Sequence, residues 1–167
     1  NLVSEKEAGT IEQINVSPVS RLTFTLSKLI PYWIIGLLVL TLAMVIAWVA
    51  YGLVPVGSIG IIYVVTLLFS FVMSGLGVSI ANCSSTMQQS MYVMFFFIII
   101  FQLMSGLMTP IDSMPQWAQY ITYVIPPRYF IEIMRSVYLK GSMFSELWQD
   151  FSMLAVFAVF VCLAAMI

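Results

Sequence analysis

Residues Pro31 to Tyr51 read PYWIIGLLVLTLAMVIAWVAY, a stretch without a charged residue. At about 1.5 Å of rise per residue, a helix of this length covers about 30 Å, the thickness of a bilayer's hydrocarbon core. Pro31 suits a first helical turn, where a missing N–H costs little. Tyr32 and Trp33 at one end, and Trp48 and Tyr51 at the other, are placed as interfacial belts. Outward from this stretch the absence of charge continues from Leu29 to Ile111, 83 positions in all. The whole chain has 167 residues, of which 62% are hydrophobic and 8% charged, and its mean hydropathy is +1.06. An ordinary soluble domain is about 25% charged. A soluble enzyme is excluded on this ground, and the chain reads as an integral membrane protein.

Gly52 to Gly57, with Pro55, makes a tight turn. A second span follows at about 58–81. Its later half carries Gly75 and Ser79, and Gly77 and Ala81, small residues four apart that permit close helix contact in lipid. That contact serves packing within one subunit or between two. Asn82 to Ser90 reads as a short polar loop. A third span, about 91–108, contains Phe95-Phe96-Phe97-Ile98-Ile99-Ile100-Phe101 and is closed by Thr109-Pro110. Gln102 is its one strongly polar side chain. It needs an internal partner, which leaves a hydrogen bond between helices or a place along a substrate path.

Residues 111–146 combine Asp112, Arg128, Glu132, Arg135, Lys140 and Glu146 with many aromatic and aliphatic side chains. Two short interfacial helices fit, at about 114–124 after a possible Ser113 cap, and at about 127–140 before Gly141. Neither is long enough to span. Arg128, Glu132, Arg135 and Leu139 fall on one side of the second helix, as a self-paired face or a ligand site, and Phe130, Ile133 and Val137 fall on another. A last span occupies about 147–167. The fold class is all-α, a polytopic membrane helix bundle of about four spans.

Residues 1–30 are polar by comparison. Ser4 and Glu7 fit a capping box, and Ala8, Ile11 and Ile14 follow at helical spacing until Ser17-Pro18 ends the helix. A helix this short is stable only against a partner. A second amphipathic stretch, Val19 to Ile30, leads into the first span. The start at Asn1 without a signal-peptide pattern, and the stop inside an apolar run, read as an internal or C-terminal piece of a longer protein.

The absences narrow the chemistry. There is no histidine, which removes imidazole bases, Ser-His relays and histidine zinc sites. Cys83 and Cys162 lie far apart and read as small buried hydrophobes. No metal site and no cofactor site is expected. A net charge of −1 gives no attraction to nucleic acid. Asp112 and Asp150 fall at expected membrane edges, which argues against an intramembrane protease. A channel would carry a polar or charged ring along its spans, and a bare scaffold would not need the capped leading helix.

One order of motifs remains. Glu5-Lys6-Glu7-Ala8-Gly9-Thr10-Ile11-Glu12-Gln13-Ile14 is followed by Val16-Ser17-Pro18-Val19. After three spans come Gly106-Leu107-Met108-Thr109-Pro110-Ile111, Met114-Pro115-Gln116-Trp117 and Pro126-Pro127-Arg128-Tyr129-Phe130. This order resembles the second half of the membrane subunit of type-2 ABC exporters, most closely the bacterial multidrug-type permeases. The resemblance implies that residues 1–30 are a cytoplasmic coupling segment, with Glu5, Glu7, Thr10 and Glu12 at the contact with an ATPase. It implies that Pro127, Arg128, Glu132 and Arg135 build a hairpin dipping into the outer leaflet. Charge does not decide sidedness by itself, because three basic residues lie at each side. The resemblance also implies an ATPase subunit or domain as partner, a second permease copy (the same or different), membrane lipid, and the bacterial cytoplasmic membrane as location. ATP and magnesium belong to the ATPase, since this chain has no phosphate loop. The cargo implied is hydrophobic or amphipathic and drug-like, with a lipid-linked glycan as the alternative.

Overall fold

The computed structural model describes Val3 and residues 21–166. The expected coupling helix, with Glu5, Glu7, Thr10 and Glu12, lies outside the described residues. The regular structure of residues 21–166 is helical: α1 (Arg21–Tyr51), α2 (Ile59–Cys83), α3 (Met87–Met104), a 3-10 turn (Ile111–Ser113), α4 (Gln116–Thr122), α5 (Pro126–Arg135), a π-helical turn (Ser136–Lys140) and α6 (Trp148–Met166). Among the described residues, α1, α2 and α3 are long and apolar enough to cross a membrane.

The core forms where α2, α5 and α6 meet. Ile62 and Val65 of α2, Tyr129 and Ile133 of α5, Val137, and Leu147 and Leu154 make one buried cluster. Val72 of α2 makes a second cluster with Ala158 and Val161 of α6. In lipid such contacts are held by close packing rather than by expulsion of water. Small residues allow that closeness. A Cβ on Gly75 would lie 2.5 Å from Val161 Cγ1, and one on Gly77 would lie 3.4 Å from Met94 Cε of α3. The small-residue stripe therefore meets two different helices of the same chain.

Hydroxyls inside the apolar helices bond back to their own backbone. Thr66 donates to the Ile62 carbonyl at 2.8 Å, and Ser79 donates to the Gly75 carbonyl at 2.9 Å. This pattern satisfies a polar group without water.

Several boundaries differ from the sequence reading. α1 starts at Arg21, and Pro31 lies inside it. The preference of proline for a first turn does not force a helix to begin there, and neighbouring groups make up for the lost bond in membrane helices. Trp33 also makes a contact between helices: its indole N–H donates to Ser74 Oγ of α2 at 3.0 Å. α3 starts at Met87, not Met91. Thr86 Oγ1 accepts from the Gln89 N–H at 3.3 Å, while Gln89 Oε1 accepts from the Ser85 N–H at 3.2 Å. This variant of the capping box was legible as Thr86-x-x-Gln89. α3 ends at Met104, well before Thr109-Pro110, because Gly106 turns the chain at φ +81°. Ser113 does not cap α4. It donates to the Pro110 carbonyl at 2.6 Å, and Pro115 occupies the cap position. Cys83 and Cys162 are exposed, not buried; both point away from the packed core.

Candidate functional site

The segment between α3 and α6 folds back on itself. α4 leads to a tip at Ile125-Pro126-Pro127, and α5 returns. Pro126 and Pro127 open α5, where their missing N–H groups are spare. Both are buried.

Contacts with α2 measure how far the tip reaches. At the base, the Gly57 N–H bonds the Val137 carbonyl at 3.0 Å, and the Val56 N–H bonds the Tyr138 carbonyl at 3.2 Å. Near the tip, Phe130 stacks on Phe69 with ring centroids 4.2 Å apart. Phe69 lies ten residues along α2 from Ile59, which is about 15 Å. The tip thus lies about 15 Å along α2 from the end that the base of the hairpin contacts. Tyr129 meets Phe157 of α6 at 6.0 Å, at a similar distance along that helix. Both ends of the hairpin lie on the side of the Gly52–Gly57 turn, where Val137 and Tyr138 accept from Gly57 and Val56 and Arg135 meets Gly106.

Depth makes polar groups at the tip expensive unless they are paired. Arg128 is the group at stake, with 14% of its side chain exposed. It donates from Nη1 to Thr122 Oγ1, and its guanidinium lies over the Tyr123 ring at 4.2 Å from the centroid. Glu132, one turn further along α5 and 53% exposed, is 3.9 Å from Arg128 Nε. The Tyr129 hydroxyl donates to the Tyr123 carbonyl at 2.9 Å. Arg128 therefore ties the two arms of the hairpin together. Asp150, in the first turn of α6, lies within electrostatic range of Glu132 and Arg128. Thr122 and Tyr123 were not singled out from sequence, and Asp150 was read only as a membrane-edge residue, because only the fold-back brings them to Arg128.

The remaining predicted residues are spread out. Arg135 Nη2 donates to the Gly106 carbonyl at 3.4 Å, joining α5 to the turn after α3. Gln102 stands on α3, exposed, and among the described residues its side chain makes no hydrogen bond. α3 itself buries none of its side chains.

The arrangement is a rigid core of α2, α5 and α6 with α1 and α3 attached at its sides. Among the described residues no three potential ligand side chains gather as a metal site.

Similarity to known proteins follows this architecture. The family described as ABC-2 family transporter protein matches residues 1–167. A relative named "Probable multidrug ABC transporter permease YbhR" from Escherichia coli K12 is 29% identical over 150 residues, covering 90% of this chain and 41% of the relative. YbhS of the same organism, with the same descriptive name, is 32% identical over 139 residues, covering 83% of this chain and 37% of that protein. "Inner membrane transport permease YhhJ", also from Escherichia coli K12, is 27% identical over 168 residues, 98% of this chain and 44% of its own length. The chain spans about two fifths of the length of these relatives. No solved structure matches. Together with its apolar helices, the match over residues 1–167 makes this chain part of a multi-pass membrane protein and a member of the ABC-2 family of transporter proteins.

Proposed function

We propose that this chain is part of the permease subunit of an ATP-driven ABC exporter. It moves a hydrophobic or amphipathic, drug-like cargo across the bacterial cytoplasmic membrane by alternating access. The observation that carries this reading is the match of the whole chain to a transporter family; relatives named as multidrug permeases support the cargo class.

The chain does no bond chemistry in this reading. A partner or fused ATPase binds ATP and magnesium, and a second permease copy completes the path, closed two-fold assemblies being the commonest. Glu5, Glu7, Thr10 and Glu12 meet the ATPase on the cytoplasmic side. The hairpin then opens from the outer side, and the core of α2, α5 and α6 rocks as one body. Gln102 lines the path; it is the one strongly polar side chain between Met91 and Met104, which supports this place.

The test replaces Glu5, Glu7 and Glu12 together by alanine in the full-length permease assembled with its ATPase. Drug-stimulated ATP turnover is lost while membrane insertion is retained. Normal stimulated turnover in this variant refutes the coupling role.

A further inference from the structure

None of the described α1 side chains is fully buried; Leu40 and Met44 pack against the core, and two hydrogen bonds add specific contacts. Trp33 Nε1 donates to Ser74 Oγ at 3.0 Å, and the Trp33 ring lies 5.6 Å from that of Phe71. Ser74 sends its own proton to the Ser70 carbonyl at 2.7 Å, which leaves its lone pairs for the indole. One turn along α1 from Trp33, a Cβ on Gly36 would lie 3.7 Å from Ser70 Oγ. Further along, Thr41 Oγ1 and the Tyr63 hydroxyl are 2.6 Å apart. Thr41 donates to the Leu37 carbonyl at 2.8 Å, so Tyr63 is the donor of that pair.

Two features single out the Trp33 contact. Pro31, two positions before it, has no N–H to give to the Ser27 carbonyl, and its ring crowds that carbonyl, so α1 bends most easily there. On the far side, Ser74 adjoins Gly75, where α2 and α6 pack tightly, a Gly75 Cβ falling 2.5 Å from Val161 Cγ1. A displacement delivered to Ser74 therefore reaches α6 with little slack, since packed interiors transmit strain.

We propose that Trp33 and Ser74 form the joint through which α1 passes movement of its Arg21–Ile30 arm to the core of α2, α5 and α6. Trp33 is a positioning residue: it fixes α1 just beyond Pro31. The inference rests on the exporter reading, in which that arm follows the coupling segment.

The test uses the full-length permease with its ATPase in liposomes and the lipophilic dye Hoechst 33342 as cargo. Dye exported per ATP hydrolysed is measured for wild type, W33F, S74A and the double variant. W33F keeps a ring against Phe71 and loses only the donor. Each single variant lowers the ratio about threefold, with basal ATP hydrolysis unchanged and the thermal midpoint lowered by no more than a few degrees. The double variant is no worse than either one, because both remove the same bond. A wild-type ratio in both single variants overturns the joint, as does a double variant whose loss is the product of the two. If W33F fails to insert, S74A, which keeps the indole, carries the test alone. Wild type without dye-stimulated turnover removes the exporter reading and the joint with it. Intact turnover with unchanged ratios removes the joint only.

Discussion

Gly75 and Val161 are in contact where α2 and α6 cross, with room for a hydrogen and not for a methyl group: a Cβ on Gly75 would sit 2.5 Å from Val161 Cγ1. Val161 is buried there, and its branched side chain has little freedom to turn away. Gly75→Ala is therefore expected to lower stability by about 1–3 kcal/mol, as overpacking does. Thermal unfolding in detergent measures this. The pair Gly75→Ala with Val161→Ala recovers part of the loss, because the second change removes the colliding methyl groups. A double variant that loses the sum of the two single losses would show that the helices do not meet at this point.

Glycines elsewhere respond differently, according to what they face. A Cβ on Gly57 would be 2.7 Å from the Val137 carbonyl oxygen, a backbone atom that cannot rotate aside. Gly57→Ala should part the turn before α2 from the base of the hairpin, breaking the Gly57–Val137 and Val56–Tyr138 bonds. Gly60, in the first turn of α2, meets only Ser58 Oγ at 3.6 Å. Gly60→Ala should be neutral, or stabilising by up to about 1 kcal/mol from helix propensity. Hydrogen exchange at the amides of residues 56 and 57, the donors of these bonds, separates the two: faster in the first variant, unchanged in the second.

Arg128 closes the hairpin, so Arg128→Ala damages its assembly more than the choice of cargo. The change takes a donor from Thr122 and a cation from the Tyr123 ring. Arg128→Lys does not restore the protein fully, because an ammonium cannot lie flat on a ring and reach Thr122 together. Glu132→Gln is milder, about 1 kcal/mol or less, since its partner is 3.9 Å away and the carboxylate is 53% exposed. Accessibility of cysteines placed at 119 and 130 to a polar thiol reagent reports the opening. A changed cargo profile at unchanged protein level would count against this account.

Arg135 holds the turn after α3 through the Gly106 carbonyl at 3.4 Å. Arg135→Ala should raise hydrogen exchange across residues 105–113 and leave α2 and α6 unaffected. The cost in global stability is small, about 1 kcal/mol. Faster exchange throughout the core would mean that Arg135 supports more than this turn.

Composition and spacing determined the class of this molecule. A run from Leu29 to Ile111 without a charge permits no stable home but lipid, and in lipid the backbone must close its own hydrogen bonds. Helices, their approximate places and the shortness of the 111–146 elements follow from that. Pro126-Pro127 and Gly141 also announced where α5 begins and where its continuation stops. Tertiary structure decided the rest. The depth of the hairpin depends on Phe130 finding Phe69, and the role of Arg128 depends on α4 lying beside it. The hydrogen bond of Trp33 depends on Ser74, 41 positions away. Local signals act along the chain over a turn or two, whereas the pairing of polar groups in a medium without water is settled by which helices happen to meet.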